Sequence, residues 1–238
     1  MHSLLKSLLA ASAVAFVAAA PAQAQLLLSG TSYGAFVDPG LTHTLVNNGP
    51  VTSVFESGVP YRPFAPYNHT TTAITFDGAS FSDVGAGDQL DLGAIEIRNG
   101  VTLLGTTASW AAMDLYLNLP EHGVVDFKLT TLLFSIDNTA NGGGMANVPD
   151  LFLVGHSAIN PLLLGGSSIT FDLHLSHPEF ATGAGASIAE GSLAELSLYA
   201  TFEMTPVPEP STYALCAAVL LVGFVALRRY RAGTATAC

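Results

Sequence analysis

The chain has 238 residues, half of them hydrophobic and 11% charged, with seven Lys and Arg against eighteen Asp and Glu for a net charge of −11. An acidic balance of that size repels polyanions, so a nucleic-acid partner is excluded. Both cysteines, Cys216 and Cys238, lie close to the C-terminus, which excludes cysteine catalysis, cysteine metal sites and a disulfide for everything before them.

Met1–Lys6 carries one cation, Ser7–Ala20 is an apolar run, and Ala22-Gln23-Ala24 has the small-x-small form of a cleavage site. Residues 1–24 are therefore expected to be a secretory signal peptide, cut after Ala24 to leave Gln25. Export of this kind brings the chain to the Sec translocon and to signal peptidase.

Residues 25–205 are long enough for one domain with a substantial core. All eighteen acids lie between Asp38 and Glu209, and the cations in that stretch are Arg62, Arg98 and Lys128, so the exported part carries −15. Its apolar residues repeat with period two. Strands are expected at Thr70–Phe76, ending at the Asp77-Gly78 turn, at Ala94–Arg98 and at Val101–Leu104. Asn99-Gly100 between the last two predicts a hairpin with a two-residue turn. Asp114–Leu119 alternates, with Leu115, Leu117 and Leu119 on one face and Asp114, Tyr116 and Asn118 on the other. Val124–Ile136, Ile169–Leu175 and Leu196–Phe202 continue the pattern. Weaker strands are expected at Thr31–Val37, Leu41–Asn47, Val51–Phe55 and Leu151–Val154. Asn141–Gly144 and Ala181–Ala186 read as loops. A short helical turn around Ser109–Asp114 is the one departure from period two. About ten strands with regular turn signals predict an all-β fold, a single jelly-roll-like β-sandwich, with a barrel as the other arrangement.

The segments Phe76–Phe81, Leu92–Ile95 with Asn99-Gly100, and Asp114–Leu119 resemble the choice-of-anchor K domains, secreted bacterial β-domains found with different C-terminal sorting signals. The resemblance spans most of residues 25–205. It implies a secreted β-domain and carries over no catalytic residue.

Little in this domain points to chemistry. Asp83, Asp88 and Asp91, with Gly85 and Gly87 between them, are the densest acids and the best calcium candidate, although their spacing matches no EF-hand loop. His174 and His177 are the close histidine pair, and a metal there needs a third ligand such as His156 or Glu179. Gly155-His156-Ser157-Ala158 lacks the second glycine of a nucleophile elbow. No spacing selects a pair of carboxylates for glycoside hydrolysis. Trp110, Tyr33, Tyr61, Tyr67, Tyr116 and Tyr199 could stack on sugars, but they form no stripe in the sequence and read as core or rim residues. No cofactor is expected, and no enzymatic activity.

The C-terminus is the most informative stretch. Val207-Pro208-Glu209-Pro210-Ser211-Thr212 is stiff and extended, because each proline fixes its own φ and restricts the residue before it. Ser211 or Thr212 can cap the helix that follows. Tyr213–Leu227 carries no charge; its length in a helix, about 22 Å, falls short of a hydrocarbon core of about 30 Å. Arg228, Arg229 and Arg231 then form a basic stop, which snorkels to lengthen the span and stays cytoplasmic. Residues 232–238 are a short tail. Motif, apolar helix and arginine cluster, residues 206–231, resemble the PEP-CTERM sorting signal of Gram-negative bacteria. The resemblance implies recognition by an exosortase, a membrane-embedded protease that would cut near Pro208–Pro210. It also implies transient residence in the inner membrane and release to the cell surface or extracellular matrix. The expected role is then structural or adhesive within an exopolysaccharide or biofilm layer. A carbohydrate-binding module is the alternative, and a glycoside-active enzyme a more distant one.

Overall fold

The computed structural model describes residues 26–60, 70–103, 105–139, 149–180, 185–207, 216–225 and 228. The signal-peptide residues, Ala22 and Ala24 among them, lie outside this set.

The fold is all-β. The strands are β1 (Leu28–Val37), β2 (Thr44–Asn48), β3 (Thr52–Ser57), β4 (Thr72–Gly78), β5 (Ser80–Val84), β6 (Leu90–Arg98), β7 (Trp110–Leu119), β8 (Val124–Asp137), β9 (Asp150–His156), β10 (Leu162–Leu164), β11 (Ser167–Leu175), β12 (Ala186–Ile188) and β13 (Leu193–Pro206). They form two curled antiparallel sheets, ordered β12-β9-β8-β7-β1-β5 and β10-β11-β13-β6-β4-β3-β2. The chain changes sheet at β1–β2, β4–β5, β5–β6, β6–β7, β9–β10, β11–β12 and β12–β13.

Alternation builds the core between them. Leu115, Leu117 and Leu119 of β7 are fully buried while Asp114, Tyr116 and Asn118 face outward, as the period predicts. On β13, Leu196, Leu198, Ala200 and Phe202 point inward. Phe36, Phe55, Phe76, Phe134, Phe152 and Phe202 join these residues in one cluster drawn from both sheets. Glycine lets backbones cross at close quarters: a Cβ at Gly78 would overlap the Ser32 carbonyl of β1 where β4 passes beneath it.

Several sequence expectations need correction. Asn99-Gly100 is not a hairpin turn. β6 is already paired on both edges, with β4 and β13, so no edge remains for Val101–Leu104. The next described residues make only an isolated bridge, Thr102 with Pro60. Gly100 does not have a positive φ; it is glycine because a Cβ there would overlap the Thr70 and Thr71 backbone. Asp77-Gly78 is also not a turn, since both residues continue the β4–β6 ladder. Ser109–Asp114 holds no helical turn, and Trp110 already begins β7. Short strands β5, β10 and β12 were not expected.

Candidate functional site

The junction with the tail is built by β13. This strand lies between β11 and β6, and its last pairs are Thr205 with Ser168 and Pro206 with Ser167. Val207 N–H then donates to the Gly166 carbonyl at 2.9 Å, in the tight β10–β11 turn. The first residue of the predicted sorting motif is thus held on the folded domain, with no spacer. Pro208, Glu209, Pro210, Ser211 and Thr212 lie outside the described residues, as do Arg229 and Arg231. Residues 216–225 are helical and exposed apart from a half-buried Cys216, and Arg228 is helical and exposed. Among the described residues no helix is long and apolar enough to cross a membrane.

The outer face of the six-stranded sheet carries a second arrangement. Tyr33 on β1 and Tyr116 on β7 face each other in register, their rings stacked with centroids 4.9 Å apart and planes 9° from parallel. Tyr33 donates its hydroxyl to Asp126 Oδ1 at 2.7 Å. Asp126 has a left-handed φ of 53° and is held there by its own N–H, which donates to Asn118 Oδ1 at 2.6 Å. Beside the pair, Asp114 receives Lys128 Nζ at 2.7 Å and the Thr131 hydroxyl at 2.7 Å. Burial, then the Asp126 hydrogen bond and charge, push the Tyr33 phenol up to about 12. Burial followed by the Asp114 charge also raises Tyr116. Exposed Trp110 projects from the same side of β7. The parallel rings, with Asp114, Asp126 and Lys128 beside them, form an aromatic platform on the outer face of this sheet. The sequence names both tyrosines; only the pairing of two strands remote in the chain shows that they form one surface.

The other candidates are dispersed. Asp83 sits on β5 with its N–H donated to Ser29 Oγ at 2.9 Å. Asp88 accepts the Gly85 N–H at 3.2 Å and Asp91 the Gly93 N–H at 3.0 Å, so both carboxylates serve their own local backbone. His174 stacks on Tyr199 and approaches Asp172 at 3.4 Å, whereas His177 faces Glu179 at 3.0 Å. His156 contacts the Ser157 carbonyl, not its hydroxyl. Among the described residues no group of three His, Cys, Asp or Glu side chains could hold a metal ion. An open groove of about 600 Å³ runs past His177, Glu179, Phe180, Ile188, Leu193 and Glu195. No family model matches the chain, and no curated protein matches it.

Proposed function

We propose that this chain is an exported protein delivered to an exosortase through residues 206–231. It would be released to the surface or extracellular matrix of a Gram-negative bacterium. There its β domain, which we read as a jelly-roll-like β-sandwich, would serve a structural or adhesive role in polysaccharide. The observation that carries this reading is the order of three signals: Val207–Thr212, the uncharged run Tyr213–Leu227, and Arg228, Arg229 and Arg231. Two sheets sharing one core, with repeated crossings between them, support the sandwich. We read the role as non-enzymatic because no spacing in the sequence selects a catalytic pair of carboxylates and Gly155–Ala158 lacks the second glycine of a nucleophile elbow. Mass spectrometry of the surface fraction tests the delivery step. The mature chain should begin at Gln25 and end near Glu209, with no peptide containing Arg228–Arg231. An intact tail on the surface protein would reduce the segment to a plain anchor.

A second reading, polysaccharide binding, is favoured by the Tyr33–Tyr116 platform. Affinity electrophoresis through soluble neutral polysaccharides should retard the chain, and Tyr116→Ala should weaken the affinity about two- to tenfold, the scale of one lost aromatic stacking contact. Equal mobility of parent and variant in every glycan would end this reading.

A further inference from the structure

Three buried oxygens at one end of the molecule lack any donor. Asn99 follows β6 and is fully buried. Its N–H donates to the Ser192 carbonyl at 3.0 Å, and its own carbonyl accepts the Gly191 N–H at 2.8 Å. Its side-chain Nδ2 donates to the Ile188 carbonyl at 2.7 Å. Asn99 is therefore clasped by the turn that joins β12 to β13. With Nδ2 fixed on Ile188, Oδ1 is directed to the other side of the amide, where it is buried and has no hydrogen-bond partner.

Asp150 opens β9 and is also fully buried. It stands opposite Ile188 in the β9–β12 ladder. Its Oδ1 accepts the Thr139 N–H at 2.8 Å and the Thr139 hydroxyl at 2.9 Å, while Oδ2 is unpartnered. Glu190 lies in the same β12–β13 turn, and its Oε1 is buried and unpartnered. Glu190 lies two residues beyond Ile188, the partner of Asp150 in the β9–β12 ladder, which brings this turn to the start of β9. The neighbouring cation offers no relief, because Arg98 turns to Glu56 and to the Thr71 carbonyl. Native proteins keep few buried acceptors unpaired, since each forfeits its hydration without return.

We propose that Asn99 Oδ1, Asp150 Oδ2 and Glu190 Oε1 form a binding site for a divalent cation, with donor chemistry suited to calcium. All three donors are hard oxygens, and two carboxylates neutralise a dication. Calcium accepts six to eight oxygens in flexible geometry and fills its remaining positions with water or main-chain carbonyls, whereas zinc seeks nitrogen and sulfur. The site contains only two acids, and its third oxygen comes from an amide. It is distinct from Asp83, Asp88 and Asp91. An ion here ties the end of β6 and the β12–β13 turn to the start of β9, and so clamps one sheet to the other.

Two measurements on the full-length chain, solubilised in detergent and stripped with EGTA, test the site. Equilibrium dialysis should find one calcium per chain. Thermal unfolding should shift upward by about 3–6 °C at about 1 mM calcium, the effect expected for a Kd of about 0.1 mM in a domain of this size. Asp88→Asn should behave like the parent. Glu190→Gln and Asp150→Asn should lose both the ion and the shift. In EGTA, Glu190→Gln should melt at or above the parent, because a buried, unpartnered carboxylate oxygen is replaced by an uncharged amide. Should Asp150→Asn fail to fold, Glu190→Gln, at a half-buried position, decides the matter. The site is overturned if the parent binds no calcium or shows no shift. It is equally overturned if Glu190→Gln retains both, if magnesium reproduces the whole effect, or if Asp88→Asn alone abolishes it.

Discussion

A tyrosine whose hydroxyl donates to a carboxylate cannot ionise without placing two anions about a hydrogen bond apart. Tyr33 is in that position with Asp126, and its pKa is pushed up to about 12 from the ordinary 10.0. The folded chain therefore holds this proton more tightly than the unfolded chain does. The stabilisation is fully present below pH about 10 and is lost as pH rises toward about 12. Titration of tyrosinate absorbance should show a late-ionising tyrosine that vanishes in Tyr33→Phe, and the variant's stability should fall less between those two pH values. A phenol titrating at its ordinary value would contradict the Asp126 contact. At this scale the sequence is legible where a residue acts on its neighbours and illegible where it acts across the fold. Asn99-Gly100 has the composition of a turn, yet Asn99 is held by residues of the β12–β13 connection and Gly100 by a close approach to Thr70 and Thr71.

Among the elements, position in the sheet decides both energetic weight and visibility in the sequence. β13 is central and its inward residues are nearly inaccessible, Phe202 being 1% exposed and packed on Phe171 with centroids 6.0 Å apart. Phe202→Ala should cost about 3–5 kcal/mol in denaturant unfolding, whereas Leu163→Ala, at a site 72% exposed on edge strand β10, should cost less than about 0.5 kcal/mol. Equal costs would mean that β13 does not carry the core. The long strands β7, β8, β11 and β13 alternate over enough residues to be read directly. The four sheet edges are β12, β5, β10 and β2, of three, five, three and five residues. Three of these, β5, β10 and β12, escape notice because so few residues barely establish a period. Their brevity also limits the unpaired backbone offered to other chains.

For the whole molecule, hydrophobic patterning makes the all-β class legible, while the partition of strands into two sheets depends on contacts between distant segments. The clasp of Asn99, Asp150 and Glu190 is hidden for the same reason: its donors come from three separated parts of the chain. The place of β13 also has a mechanical meaning. Anything attached beyond Val207 pulls along the axis of β13, which is paired with β11 over Leu198–Pro206 and with β6 over Leu193–Ala200. Ladder hydrogen bonds lie perpendicular to that axis, so such a load shears many of them together instead of peeling them one by one. A pull on the tail is thus taken up by an interior strand of the seven-stranded sheet and shared with both of its neighbours.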